Sequence, residues 1–252
     1  MRAHLGTLAV ALAMCGSALA QNTETLRVYS SNGVRVVVEE MRPQIEEAIG
    51  SSLVIEFSTS RTLADRIAAG DPFDVAILTP SLIDELYALG KILPGSQTEF
   101  ARGGIGVGSR AGTAAKPVGT LDELRQTFLE AESIAFGANG QSRRTNEASF
   151  EALGIADEVQ GKIRLTGAGE APVLVADGEV ELVLTLVSEL LREPGIQFLG
   201  PLPPELQGYV YFAAGVSASA SDPDAAQAFI SYLSSPAFVA SLEKHGLGPV
   251  SP

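Results

Sequence analysis

The chain has 252 residues, 46% of them hydrophobic and 19% charged, and a formal net charge of -13. That length suits one large domain or two small ones and is ample to bury a core. The acidic balance makes nucleic acid and anionic membranes poor partners, so any anionic ligand has to be held by a local cluster of donors.

Residues 1–20 read MRAHLGTLAVALAMCGSALA, with a basic start at Arg2, an apolar stretch from Leu5 to Met14, and Ala18-Leu19-Ala20 before Gln21. This is the pattern of a secretory signal peptide cleaved after Ala20. The mature chain is therefore expected outside the cytoplasm, with a net charge of -14 once Arg2 is removed. The single cysteine, Cys15, lies inside this segment, and Met14 before it fits a lipid-attachment box poorly. The mature chain then has no disulfide, thiol nucleophile or cysteine metal site. Its apolar runs fall far short of the roughly 18 residues that span a bilayer.

From Leu26 onward, strand and helix patterns alternate. Leu26–Tyr29 predicts a strand and Val34–Ile49 a helix with Pro43 kinking it. A strand at Leu53–Phe57 is followed by a helix over Thr62–Ala69, which Gly70 ends. Phe73–Leu78 is a buried strand, and Ser81 is the expected cap of a helix running to Leu89 and closed by Gly90. Gly103–Gly108, GGIGVG, has the wrong spacing for a dinucleotide loop and reads as a glycine-rich strand. A second unit follows, with helices at Leu121–Leu129, Thr145–Leu153 and Ala171–Ala176 and strands at Ser133–Phe136, Lys162–Leu165 and Val180–Leu186. Tyr209–Ser217 predicts a strand returning to the first unit, and Ala225–Leu233 and Ala237–His245 predict terminal helices. The fold class is α/β, with mainly parallel sheets flanked by helices.

Four strand-to-helix junctions are polar: Ser30–Gly33, Ser58–Arg61, Gly140–Thr145 and Gly167–Glu170. Helix N-termini expose unpaired N–H groups and a partial positive charge. In open α/β sheets, ligands bind at the carboxyl ends of strands, where such loops lie. Each loop alone reads as an ordinary cap, but recurrence in both halves points to a site for one small anion. Arg61, Arg143 and Arg144 add carboxylate-matching forks, although a bridge from Arg61 to Asp65 is an equal reading. His245, the one histidine of the mature chain, reads as a solvated or C-capping residue. No G-x-S-x-G elbow and no His/Cys cluster is present in the sequence, so neither serine hydrolysis nor a metal site is indicated.

Three segments carry a family resemblance: LRVYSSNGV, FSTSRTLADRIAAGDPFDVAIL and FISYLSSPAFVASLEKHGLGPV. Over nearly the whole mature chain, the sequence resembles the molybdate-binding proteins, periplasmic solute-binding proteins of ABC transporters. The resemblance implies a two-lobed type II periplasmic-binding fold with a hinge of two crossing strands. Lobe I would comprise 21–102 plus 213–252, and lobe II 103–212. A small anion would bind in the interlobe cleft of a periplasmic monomer, without cofactor or metal, for delivery to an inner-membrane permease. Neutral hydroxyls and backbone N–H groups hold the ligand in that family, which points here to Asn32 or Gly33, to Ser60, and to Arg144 or Thr145; the loop reading adds Ser31 and Ser142 as candidate ligand-binding residues. The chain departs from the family in carrying Arg61, Arg143 and Arg144 at the cleft loops, and Thr185 and Leu186 where a tyrosine often contributes. Arginines suit a polycarboxylate, and sequences of this type also resemble aconitate isomerases. That alternative, an isomerase moving a proton and double bond in a tricarboxylate, needs a general base. Glu170, at a cleft loop, is its candidate.

Overall fold

The computed structural model describes residues 25–250. The signal peptide, its cleavage after Ala20, and Cys15 lie outside the described residues. The chain opens with strand β1 (Thr25–Ser31), a short 3-10 turn at Asn32–Val34, and helix α1 (Arg35–Ile49), which runs through Pro43. α1 buries Val37, Val38, Met41 and Ile45, one stripe at helical spacing. Strand β2 (Ser52–Ser58), helix α2 (Ser60–Ala69), strand β3 (Val75–Leu78) and helix α3 (Pro80–Ala88) follow. The expected Ser81 cap is corrected to Thr79, because Pro80 occupies the first helical position, where its missing N–H costs nothing.

Strand β4 (Thr98–Arg110) is 13 residues long and includes the GGIGVG run. After it come α4 (Leu121–Glu130), β5 (Ile134–Gly137), α5 (Arg143–Ala152), α6 (Ala156–Gln160), β6 (Ile163–Thr166) and α7 (Glu170–Ala176). Next are β7 (Leu182–Leu186), α8 (Val187–Arg192), β8 (Ile196–Pro201) and β9 (Tyr209–Val216). The chain closes with α9 (Pro223–Tyr232), α10 (Pro236–Lys244) and β10 (Leu247–Pro249). His245 is the C-cap of α10, and its ring nitrogen meets Glu40. Elements α6, α8, β8 and β10 have no counterpart in the sequence reading; all are six residues or shorter, too brief for a periodic pattern.

The strands form one ten-stranded mixed sheet in the order β2-β1-β3-β9-β4-β7-β5-β6, with β8 and β10 also paired to β4. β1 lies parallel to β2 and β3, and β5 lies parallel to β6 and β7. β4 is the spine: Thr98–Gly104 pair antiparallel with β9, and Ile105–Ser109 pair antiparallel with β7. Its glycines have a steric reason. A Cβ on Gly106 would lie 2.7 Å from the Phe198 ring, and one on Gly108 2.8 Å from Ile196. The run therefore admits neighbouring side chains onto the strand rather than cradling a phosphate. One continuous apolar cluster reaches from Leu26 and Val28 through Phe100 and Phe212 to Phe128, Phe136 and Phe150. Among the described residues, no helix is long and apolar enough to cross a membrane.

Candidate functional site

β1 and β2 run one way along the sheet and β5 and β6 the other, and the loops leaving the four strands meet. Ser31–Gly33 after β1, Thr59 and Ser60 after β2, Gly137–Ser142 after β5 and Thr166–Gly169 after β6 line a single cleft. Leu186, Val210 and Phe212 form its apolar floor, and Thr185 and Glu189 also line it. The enclosed volume is about 100 Å³, several times the roughly 10–15 Å³ that one water needs.

Local capping decides which hydroxyls are committed. At α2, Thr59 is the N-cap, and its Oγ1 accepts from the Thr62 N–H at 3.2 Å. Ser60 is thereby moved into the first helical position. Its Oγ is buried, with the residue 1% exposed, and finds no hydrogen-bond partner among the described residues. A buried hydroxyl without a partner is uncommon and marks a group reserved for something else. Ser142 stands at the N-cap of α5, also buried, and makes no side-chain cap bond. In the first loop, the Ser31 hydroxyl accepts from the Gly33 N–H at 3.4 Å. Gly33 is required by space: a Cβ there would meet the Phe212 ring at 2.4 Å and Leu186 at 2.6 Å. Asn32 reaches across to the β6 loop, where a Cβ on Gly169 would lie 3.4 Å from its Nδ2.

The four loops are thus brought together, but the arginines are not among the residues that line the cleft. Arg61 turns along the surface, donating to Asp65 at 3.0 Å and Glu85 at 2.9 Å. Arg143 donates to Glu147 at 2.8 Å and to the Ala138 carbonyl at 2.9 Å. Arg144 is exposed. Thr145 packs against the chain at Gly208, where a Cβ would lie 2.4 Å from Thr145 Oγ1. Glu170 also stays out of the lining, because its carboxylate accepts from the Gly167 N–H at 2.7 Å and closes its own loop. These are the ordinary fates of such side chains at helix starts: i,i+4 pairing for the arginines and local capping for the acid.

Sequence reasoning passed over Glu189. It is the one ionisable side chain that lines the cleft among the described residues. The Thr185 hydroxyl donates to its carboxyl from the end of β7. Burial pushes the Glu189 carboxyl above its ordinary value, against the opposing pull of the Thr185 hydrogen bond and the Arg192 charge. The available signal was slight, a hydroxyl and an acid four residues apart astride a strand end.

A cleft lined by hydroxyls, backbone amides and the starts of two ten-residue helices, α2 and α5, offers donors of the kind an anion takes. Residues 26–248 match the family described as bacterial extracellular solute-binding protein. The chain belongs to that family. It is also 29% identical over 255 residues to an aconitate isomerase from a Pseudomonas species, covering 98% of this chain and 97% of the relative. Among solved structures, it resembles the periplasmic molybdate-binding protein of Azotobacter vinelandii. The TM-score there is 0.77 at 20% identity, over 90% of this chain and 99% of that one. It also resembles the sulfate-binding protein SubI of Mycobacterium tuberculosis, with a TM-score of 0.73 at 15% identity, over 91% of this chain and 88% of that one. At those identities the likeness is one of fold, and the solute-binding chain has the two-lobed type II periplasmic-binding fold expected for it.

Proposed function

We propose that the protein is a periplasmic receptor that captures a small oxyanion between two lobes and presents it to an inner-membrane ABC permease. The observation that carries this reading is Ser60, whose buried hydroxyl lines the cleft at the start of α2 without a partner among the described residues. The hydroxyls of Ser31 and Ser142 and the amide of Asn32 complete a set of neutral donors on three loops. A compact anion is satisfied by such donors together with helix N-termini. Because Arg61 and Arg143 are paired on the surface, a molybdate-like oxyanion suits the site better than a polycarboxylate. The lobes, 21–102 with 213–252 and 103–212, would close over the ligand by hinge motion.

A second reading is an isomerase of the aconitate type. It is favoured by the full-length relative and by one carboxyl in the cleft, Glu189. In that reading Glu189 replaces Glu170 as the general base, since Glu170 is occupied within its own loop. One panel separates the two readings. Thermal shift of the mature protein with molybdate, tungstate, sulfate, citrate and cis- and trans-aconitate reads stabilisation by mass action. Stabilisation by oxyanions and not by carboxylates supports the receptor. Stabilisation by carboxylates alone, with conversion of trans-aconitate followed by proton NMR, supports the isomerase.

A further inference from the structure

An acid at the heart of an anion site needs an explanation. The other residues that line the cleft are neutral, so among the described residues no cationic side chain of the lining offsets Glu189. One side of its carboxyl is taken by the Thr185 hydroxyl. The charge acting on it is that of Arg192, on the same helix α8. From β7 it receives only the Thr185 hydroxyl, and the facing 3-10 turn presents Ser31, Asn32 and Gly33, none of them charged. Helix α8 is also fastened to that turn, because the Ser188 hydroxyl donates to the Gly33 carbonyl at 2.7 Å. The carboxyl therefore cannot swing far from the loops that would hold the ligand.

We propose that anion capture is coupled to the uptake of one proton on Glu189, whose neutral carboxyl then donates a hydrogen bond to the bound anion. This rests on the receptor reading. An ionised carboxylate beside a bound anion repels it, whereas the protonated acid is one more donor. Burial already favours the neutral form before ligand arrives, and an anion bound nearby favours it further. The proton comes from solvent and returns there on release, and no bond of the ligand is made or broken. The site would thus discriminate by pH as well as by shape.

The test is isothermal titration of the mature protein with molybdate, with sulfate and citrate run in parallel. Titrations are made in buffers of different ionisation enthalpy between about pH 5 and about pH 9, a window around and above ordinary carboxylate values. On the alkaline side, where the free Glu189 is ionised, the wild-type protein is expected to take up close to one proton per anion and to lose affinity about tenfold per pH unit; on the acid side, where it is already neutral, both effects fade. Glu189→Gln, a neutral donor of similar shape, is expected to bind with no proton uptake and a flat pH profile. Thr185→Val removes the hydroxyl that favours the ionised form, so its affinity should begin to fall at higher pH than in wild type. Circular dichroism checks that each variant is folded. Binding by the wild-type protein without proton uptake at any pH in the window, or an unchanged pH slope in Glu189→Gln, overturns the inference and leaves the receptor reading standing. Failure of all three anions to bind at any pH overturns both.

Discussion

The Ser188 hydroxyl donates to the Gly33 carbonyl at 2.7 Å, joining helix α8 to the turn after β1 across 155 positions of sequence. Both residues are buried, and the bond sits beside the cleft, which Gly33 and Glu189 both line. Ser188→Ala removes this buried hydrogen bond, which costs about 0.5–1.5 kcal/mol. Urea denaturation should show that loss, and the effect on anion affinity should be at least as large, since α8 and the turn would no longer be held in register.

Gly33→Ala tests the close approach of backbone to floor. The added methyl would meet Phe212 and Leu186 well inside van der Waals contact, and overpacking of this kind costs about 1–3 kcal/mol. A lowered denaturation midpoint with an unchanged m-value is the expected outcome. Wild-type stability in this variant would mean that the floor yields easily.

Ser60→Ala separates binding from stability. The hydroxyl makes no bond among the described residues, so its removal should leave the free protein as stable as before or slightly more so. A hydrogen bond to a charged ligand is worth about 1.5–3 kcal/mol, so affinity for the anion should fall roughly tenfold to a hundredfold. Titration calorimetry on the variant reads the second effect, and thermal melting without ligand reads the first.

Arg61→Ala and Arg143→Ala are the contrasting pair. Their guanidinium groups are engaged with Glu85 and Asp65, and with Glu147, on the surface. Exposed pairs contribute about 0–1 kcal/mol, so stability should change little. Anion affinity should stay within about threefold of wild type, because neither residue lines the cleft. A loss comparable to that of Ser60→Ala would return the arginines to the site.

Glu40 ties α1 to the end of the last helix through the His245 ring and the Lys244 ammonium, and these hydrogen bonds hold its carboxyl below the ordinary value. A depressed acid contributes stability that is present above its unfolded value and lost as pH falls through the folded one. The melting temperature of Glu40→Gln should therefore lie below wild type near neutrality, with the gap closing between about pH 5 and about pH 3. A gap independent of pH would assign the effect to packing.

Much of the site was legible from local signals. The loops Ser30–Gly33, Ser58–Arg61, Gly140–Thr145 and Gly167–Glu170 were readable as strand ends opening helices, and all four reach the cleft. Their side chains were less legible. Arg61 and Arg143 have helical neighbours of opposite charge four residues on, and that local pairing prevails over the cleft. Glu170 was drawn to its own Gly167 amide for the same reason. Glu189 escaped notice because its importance depends on the cleft it shares with the loops after β1, β5 and β6, which lie elsewhere in the sequence.

Taken alone, the sequence determined the alternation of strands and helices, the stops at Gly70 and Gly90, and the polar character of the four loops. Periodicity and capping are decided by residues within a turn or two of one another, so they survive reading in one dimension. Only the tertiary structure decided that β4 is the shared spine, that Thr59 caps α2 and leaves Ser60 uncommitted, and that an acid stands in an otherwise neutral cleft. Those outcomes follow from strand pairing and from the direction each side chain takes once packed, such as the fit of Gly33 beneath Phe212. They rest on contacts between residues far apart in the chain, which no local pattern encodes.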